Sequence, residues 1–232
     1  MLTVGLLGKK YEDHLLTSKS LLEGETNICD CFKNRLGGIY NFLRVPVKNV
    51  NFKIYDTGKR KAFIINDVGS SKRTSFTFLE EKSYLSLSSV ESINKNCDWL
   101  HVAYIDDIED YRKIFNINIP ISLDFCTNSP RENFIDVMEK AEIIFDSRER
   151  KNLYNNIHLK NFTILHDDKG IEILEKSKKI YSSKIKKLNN LEVNGAGDSY
   201  AAFLIEDLQY SNIIKASNLA MHKTTSFLKS KK

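Results

Sequence analysis

NGAGDSYAAFLIEDL, residues 194–208, is the stretch that decides how this chain folds and what it binds. Gly195, Ala196 and Gly197 stand directly before Asp198, and an amphipathic segment follows. Because two of these three residues lack a Cβ, their backbone N–H groups can point at one anion, and the positive end of the following helix adds to the attraction. Asp198 can then take a proton from a hydroxyl held beside that anion. The stretch predicts a phosphate site with a base, and the alternative is a glycine-rich turn with Asp198 as its cap.

Short apolar runs alternate with helical patterns over much of the chain. The runs are LTVGLLG (2–8), DWLHVAYI (98–105), IPISLDF (119–125), AEIIFD (141–146) and NFTILHD (161–167). PRENFIDVMEKA (130–141) has apolar residues at helical spacing and predicts a helix that crosses back over the sheet. The alternation predicts an α/β fold with a mainly parallel sheet flanked by helices, in which ligands bind at the carboxyl ends of the strands.

Residues 52–79 have a different pattern. Two stretches rich in β-branched and aromatic residues surround the turn-forming segment DVGSSKR (67–73), which predicts a β-hairpin. The chain has 232 residues, of which 41% are hydrophobic, enough for one sizeable core with a small appendage. We therefore predict a single α/β domain over residues 1–232.

Composition argues against several other classes of protein. The net charge is +5 with acids and bases interleaved, and LKSKK (228–232) is the clear basic cluster, so nucleic-acid binding has little support. The four cysteines lack zinc-site spacing and are interpreted as reduced thiols. No apolar run approaches the roughly 20 residues that span a bilayer, and the N-terminus lacks the pattern of a signal peptide. We expect a cytoplasmic protein without membrane or nucleic-acid partners.

NGAGDSY resembles the signature of the ribokinase-like (PfkB) carbohydrate kinases, in which GAGD holds the anion hole and the catalytic aspartate. Three further segments match that family in order: LGKKYEDHLL (7–16), RLGGIYNF (35–42) and EIIFDSRE (142–149). The resemblance implies a ribokinase-like fold with a small β lid, formed by strands at about 14–34 and 52–79. It is a shortened and divergent match, because the chain omits the strand and helix that the family carries after the Gly-Gly motif.

The resemblance also implies a sugar site. Asp13 corresponds to the acid that holds sugar hydroxyls, and Gly37 with Gly38 corresponds to the Gly-Gly substrate motif. Asn41 lies one residue before the position of the family's asparagine, which is Phe42 here. A step of one residue along a helix rotates a side chain by about 100 degrees, so Asn41 points either at the sugar or elsewhere.

A metal shell is implied by the third segment. Asp146 stands where the family has asparagine, and Glu149 matches the family's glutamate. Carboxylate oxygens suit magnesium, and both acids can face one magnesium-bound water shell. The alternative is that they are surface acids paired with Arg148 or Arg150. Asp124, at the end of ISLDF, resembles a family position with a structural role.

The nucleotide side departs from the family pattern. LHDDKG (165–170) stands for the family's T-x-G-x-x-G, with Leu165 for threonine, Asp167 for the first glycine and Gly170 retained. A carboxylate near a triphosphate is repelled by it. Asp167 therefore either turns away or weakens ATP binding, and Lys169 offers a compensating charge.

Two further positions bear on cofactors. Asn218 resembles a family asparagine near the adenine pocket. Glu192 and Val193 replace the family's Asp-Thr pair, which argues against activation by a monovalent cation. The cofactors implied are ATP and Mg²⁺.

The resemblance implies an ATP-dependent carbohydrate kinase that transfers the γ-phosphoryl group to a hydroxyl of a sugar or sugar derivative, with Asp198 as general base. It also implies a homodimer formed through the lid strands. The alternative is a catalytically inactive kinase-like fold that binds a sugar, a nucleotide or a partner, and Asp167 favours it. Retention of Asp198 with its glycines argues for the enzyme.

Overall fold

A computed structural model describes residues 1–19, 26–67, 72–78, 84–185 and 193–231. Its strands are β1 (Leu2–Ser18), β2 (Cys31–Gly38), β3 (Val50–Asp67), β4 (Lys72–Thr77), β5 (Trp99–Ala103), β6 (Ile121–Asp124), β7 (Ile143–Ser147), β8 (Phe162–Asp167), β9 (Gly170–Glu175) and β10 (Lys178–Lys184). The α-helices are α1 (Leu87–Asn96), α2 (Ile135–Lys140), α3 (Ala196–Leu208) and α4 (Ile213–Ser230). Five 3₁₀ helices in the described ranges cover Ile39–Arg44, Ile105–Asp107, Tyr111–Asn116, Arg131–Phe134 and Arg148–Tyr154.

The described strands form one sheet in the order β10-β9-β8-β7-β6-β5-β1-β3-β4, with β2 paired to β1. β3, β1, β5, β6, β7 and β8 run parallel, and β9, β10 and β4 are antiparallel additions at the two edges. Parallel strands bring their carboxyl ends to one edge of the sheet, which is where Asp124, Asp146 and His166 lie. The α/β architecture with a mainly parallel sheet is as the sequence predicts.

Two hydrophobic clusters cover the two faces of the sheet. One packs α1 and α2 against β5 and β6, and the other packs α3 and α4 against β1, β7 and β8. Ten of the thirteen residues of α3 are buried, because its alanines let it lie between the sheet and α4. Within the described ranges no helix is both long and apolar enough to cross a membrane.

The first strand is much longer than the pattern LTVGLLG predicts. β1 continues from Leu2 to Ser18, so Asp13 lies within a strand and not in a loop after it. The pairing of β1 with β3 shifts register between Gly8 and Lys10, and such an irregularity bends a strand. Beyond that bend β1 pairs with β2 and β3. We call residues 9–18, β2, residues 58–67 and β4 the β extension.

The predicted hairpin is present over part of its range. β3 and β4 pair antiparallel from Ala62 with Thr77 to Asp67 with Lys72, whereas the first half of β3 pairs with residues 2–8 in the central sheet. The turn residues 68–71 and residue 79 lie outside the described ranges, as do residues 20–25 of the first predicted lid segment.

The two faces of the β extension differ. Tyr11, Leu15, Ala62 and Ile64 are buried on the inner face, where they pack against Tyr104. The outer face carries aromatic side chains that are 37–57% exposed. They are Phe32, Phe63, Phe76 and Phe78. The ring of His14 stacks on two of them, with centroid distances of 6.2 and 4.8 Å.

The burial of His101 leads us to predict that the stability of the fold depends on pH. Its side chain is fully buried, Nδ1 lies 2.8 Å from Oγ of Ser122, and burial lowers its pKa from 6.5 to about 3. His101 is therefore protonated below about pH 6.5 in the unfolded chain but only below about pH 3 in the folded protein. We expect the free energy of unfolding to fall by up to about 1.4 kcal/mol per pH unit as the pH drops through this window. Urea denaturation at several pH values measures it.

His101→Gln is the control for this prediction, because glutamine keeps a polar side chain and does not titrate. The variant should show a shallower loss of stability between pH 6.5 and 4. An unchanged slope would assign the pH dependence to other groups.

Candidate active site

Asp198 lies at the centre of the predicted site. It occupies the first turn of α3 and is 4% exposed. Oδ2 accepts a hydrogen bond of 2.8 Å from Nδ2 of Asn41, and Oδ1 accepts one of 3.0 Å from the hydroxyl of Tyr104. The carboxylate is therefore held on both oxygens by neutral donors from two other elements.

Asn41 reaches Asp198 because the chain turns sharply after β2. Gly38 precedes the 3₁₀ helix Ile39–Arg44, and this helix places Asn41 towards α3. Nη1 of Arg44 donates to Oδ1 of Asn41 at 2.9 Å, which fixes the orientation of the amide. Asn41 therefore points towards Asp198.

Three of the predicted sugar residues, Asp13, Gly37 and Gly38, lie on the β extension. Asp13 is 3% exposed, and its Oδ2 accepts a 3.3 Å hydrogen bond from Nδ2 of Asn194. Gly37 lies so close to Asp13 that a Cβ at this position would collide with the carboxylate. Arg35 donates to the backbone carbonyl of Asn194 at 3.5 Å. Asn194 thus connects the predicted sugar site to the GAGD segment.

The GAGD segment opens α3. Gly195 has φ 79° and precedes the first helical residue. The N–H of Ala196 donates to the carbonyl of Val193 at 3.0 Å, so this N–H is used within the turn. Gly197 packs against His166, whose Cε1 lies 3.2 Å from the position of an added Cβ. Glu192 lies outside the described residues.

Two titratable groups border this turn. Burial raises the pKa of Asp124 well above its usual value, and the charges of Asp198 and Asp146 raise it further. His166 is half-buried, and desolvation of its ring lowers its pKa to about 4. Burial therefore opposes the charged form of both groups.

Asp146 is engaged by cationic and hydroxyl donors. It is fully buried, and it accepts hydrogen bonds from Arg131, Arg150 and the hydroxyl of Tyr154 at 2.9, 2.6 and 2.8 Å. Glu149 is exposed in the 3₁₀ helix that follows β7. Direct coordination of magnesium by Asp146 would break a buried ion pair, so Asp146 is a poor fit as a metal ligand. Among the described residues no three acidic, histidine or cysteine side chains form a metal-binding group.

The carboxylate of Asp167 is paired. Nη1 of Arg148 lies 3.3 Å from its Oδ2, and Oδ1 accepts a 2.8 Å hydrogen bond from the N–H of Lys169. Arg148, and not the side chain of Lys169, is the cation that the structure places beside it. Gly170 begins β9 directly after this turn.

Asn218 lies on α4 and faces β10. Its amide and the hydroxyl of Tyr181 lie within hydrogen-bond distance, with Nδ2 at 2.8 Å and Oδ1 at 3.0 Å from the hydroxyl oxygen. The predicted adenine-side residue is therefore engaged by a tyrosine of the neighbouring sheet edge.

Sequence reasoning missed three residues of this region: Tyr104, Asn194 and Arg131. It named Arg148 only as a partner for Asp146 or Glu149, whereas the structure pairs Arg148 with Asp167. Asn194 is the first residue of NGAGDSY, and its position next to Gly195 was the signal that could have identified it as a site residue. Tyr104 ends the apolar run DWLHVAYI and could have been found as a polar group at a strand end. Arg131 carries no local pattern that separates it from surface cations.

No family model matches this chain, and no curated protein matches it. Several solved structures match it. A ribokinase of Arabidopsis thaliana complexed with ribose and ATP superposes with a TM-score of 0.68 at 12% identity, over 98% of this chain and 93% of that one. A microbiome-derived acarbose kinase superposes with a TM-score of 0.67 at 15% identity, over 97% of this chain and 92% of that one.

An archaeal nucleoside kinase of the ribokinase family, from Methanocaldococcus jannaschii, gives a TM-score of 0.67 at 15% identity, over 99% of this chain and 92% of that one. Likeness at this level of identity is a likeness of fold. The chain has a ribokinase-like fold, which confirms the fold that the sequence resemblance predicts.

Proposed function

We propose that this protein, on its ribokinase-like fold, is an ATP-dependent kinase that phosphorylates a hydroxyl of a sugar or sugar derivative. The observation that carries the proposal is the placement of Asp198. It lies in the first turn of α3 beside Gly197, and Asn194 links this turn to Asp13. The test is ADP release from ATP and magnesium with a panel of sugars and nucleosides, with Asp198→Asn as the negative control.

In the proposed reaction the acceptor hydroxyl oxygen attacks the γ-phosphorus. The bond from that phosphorus to the bridging oxygen breaks, ADP leaves, and the hydroxyl proton passes to Asp198. The N–H groups of Gly195 and Gly197, with the positive end of α3, stabilise the charge on the transferring group. The N–H of Ala196 donates to the carbonyl of Val193, so Ala196 stabilises the turn and does not donate to the anion.

The sugar is proposed to bind between the β extension and the central sheet. Asp13 supplies a carboxylate for sugar hydroxyls, and Gly37 and Gly38 allow the backbone to approach it. The β extension then serves as the lid, with its inner face towards the ligand. The acarbose kinase and the ribose-bound ribokinase, which have this fold, support a sugar as the acceptor class.

ATP is expected to enter as its magnesium complex. Glu149, which is exposed, is the better candidate for the water shell of magnesium, because Asp146 is bonded to Arg131 and Arg150. Lys169, Gly170 and Asn218 remain the proposed nucleotide contacts.

Asp167→Gly is expected to strengthen binding of magnesium–ATP by less than about tenfold, because Arg148 already offsets the carboxylate. Removal of Asp167 would free the positive charge of Arg148 for the phosphates. The gain is limited because magnesium and solvent screen both charges. Calorimetric titration of magnesium–ATP into the two proteins measures it.

Arg148→Gln is the matched variant, and it should act in the opposite direction. It leaves the charge of Asp167 uncompensated, so affinity for magnesium–ATP should fall by a similar factor. Equal affinities in all three proteins would place this ion pair away from the phosphates.

A non-catalytic ligand-binding protein is the second candidate function. The contact between Tyr181 and Asn218 favours it, because it engages an amide that is proposed to face adenine. A thermal-shift screen separates the two functions, since a ligand that binds the folded state raises its stability. Stabilisation by a sugar without release of ADP would support the second candidate.

A homodimer formed through the outer face of the β extension is also proposed. Phe63 and Phe76 are directly paired across β3 and β4 and lie 37% and 57% exposed. Exposed aromatic patches of this kind are commonly interfaces. Replacing both by serine should convert a dimer into a monomer, as measured by sedimentation velocity. Tyr210→Ser is the control, because Tyr210 is 67% exposed after α3; a monomeric parent protein would refute the proposal.

A further inference from the structure

Tyr104 contacts the proposed base directly. It follows β5, and its half-buried hydroxyl donates to Oδ1 of Asp198 at 3.0 Å. Asn41 donates to the other oxygen at 2.8 Å. Both oxygens of the carboxylate therefore accept a hydrogen bond from a residue of another part of the chain.

The ring of Tyr104 is held by the β extension. It packs against the buried cluster of Tyr11, Leu15, Ala62 and Ile64. The rings of Tyr11 and Tyr104 meet edge to face, with centroids 6.3 Å apart and an angle of 72° between their planes. This geometry is a favourable one for aromatic pairs.

Tyr11 is itself fixed by a buried charged group. Its hydroxyl donates to Oδ2 of Asp107 at 2.5 Å, and Lys9 and Arg60 pair with Oδ1 of the same carboxylate at 3.2 and 2.5 Å. Because the Asp107 side chain is 2% exposed, this cluster is shielded from water. Tyr104 is therefore supported at its ring by an ordered part of the β extension and at its hydroxyl by Asp198.

We propose that Tyr104 is a positioning residue for Asp198, held in place by the β extension. The inference rests on the proposed function, in which Asp198 is the base. The phenol fixes the plane of the carboxylate so that Oδ2 faces the acceptor hydroxyl, and its hydrogen bond favours the charged carboxylate. Among the described residues, Asn41 of the 3₁₀ helix after β2 also donates to this carboxylate, and Asp124 of β6 lies near enough for the two charges to interact.

Tyr104→Phe tests the proposal, because it keeps the ring and removes only the hydroxyl. Two measurements are made: the pH titration of the Asp198 carboxyl by ¹³C NMR in the ligand-free protein, and kcat and KM with an accepted substrate. The titration midpoint should rise by about one pH unit, since a hydrogen bond to the carboxylate is lost. We expect kcat to fall about tenfold and KM for the acceptor to change less than twofold.

Tyr11→Phe is the matched control. It is the same substitution in the same cluster, but its hydroxyl contacts Asp107 and not Asp198. Because the substitution keeps the ring that packs against Tyr104, the Asp198 titration midpoint should stay at the parent value. Equal midpoints in Tyr104→Phe and Tyr11→Phe would overturn the proposal, and so would a normal kcat in Tyr104→Phe.

The two readouts separate this inference from the proposed function. If the parent protein phosphorylates none of the acceptors tested, the kinase assignment fails. The NMR titration still decides whether Tyr104 controls the carboxyl, because it needs neither ATP nor a sugar.

Discussion

Asp198→Asn should lower turnover at least a hundredfold while the fold and ligand binding persist. Asparagine has nearly the same shape, but its amide cannot take the proton of the acceptor hydroxyl. Its single carbonyl oxygen can accept from Asn41 or from Tyr104, which now both donate to the carboxylate. The loss should therefore appear in kcat, and KM for the acceptor should change much less.

ADP release gives the turnover, and calorimetric titration of sugar and magnesium–ATP checks that binding survives. Asp124→Asn is the matched control, because Asp124 is a buried acid near Asp198, and burial raises its pKa. Its turnover should stay within about tenfold of the parent. Near-normal turnover in Asp198→Asn would remove Asp198 as the base.

The largest effect on stability is expected for Arg131→Met. Arg131 and Asp146 are both fully buried, and Nη2 of the arginine lies 2.8 Å from Oδ2 of the acid. The guanidinium also lies 4.0 Å from the centroid of Phe125 and donates to two backbone carbonyls. Removing one partner of a buried pair typically costs about 3–5 kcal/mol, and the lower end of this range is expected here because Arg150 still pairs with Asp146. Urea denaturation measures the loss.

Arg150→Met tests whether burial is the cause. Arg150 pairs with the same carboxylate at 2.6 Å, but its side chain is 19% exposed, so water can replace part of the contact. Its loss of stability should be less than half that of Arg131→Met. Equal losses in the two variants would show that burial does not set the size of the effect.

Local patterns in the sequence were sufficient for the main features of the fold. The alternation of apolar runs with helical spacing predicts the parallel sheet, and the glycines before Asp198 predict the turn that opens α3. Both predictions rest on backbone preferences that act over a few residues, which is why a sequence without structural information reveals them. The length of β1 was not predictable in this way, because residues 9–18 are held as a strand by pairing with β2 and β3.

The sequence by itself determined the α/β class, the turn at residues 194–198 and the identity of Asp198 as the candidate base. Only the tertiary structure decided the partners of each charge. Asn41 and Tyr104 reach Asp198 from 157 and 94 residues away, and the buried Arg131 joins Arg150 beside Asp146. Contacts of this kind form only when distant segments pack together, so their geometry depends on the whole sheet and not on any local run of residues.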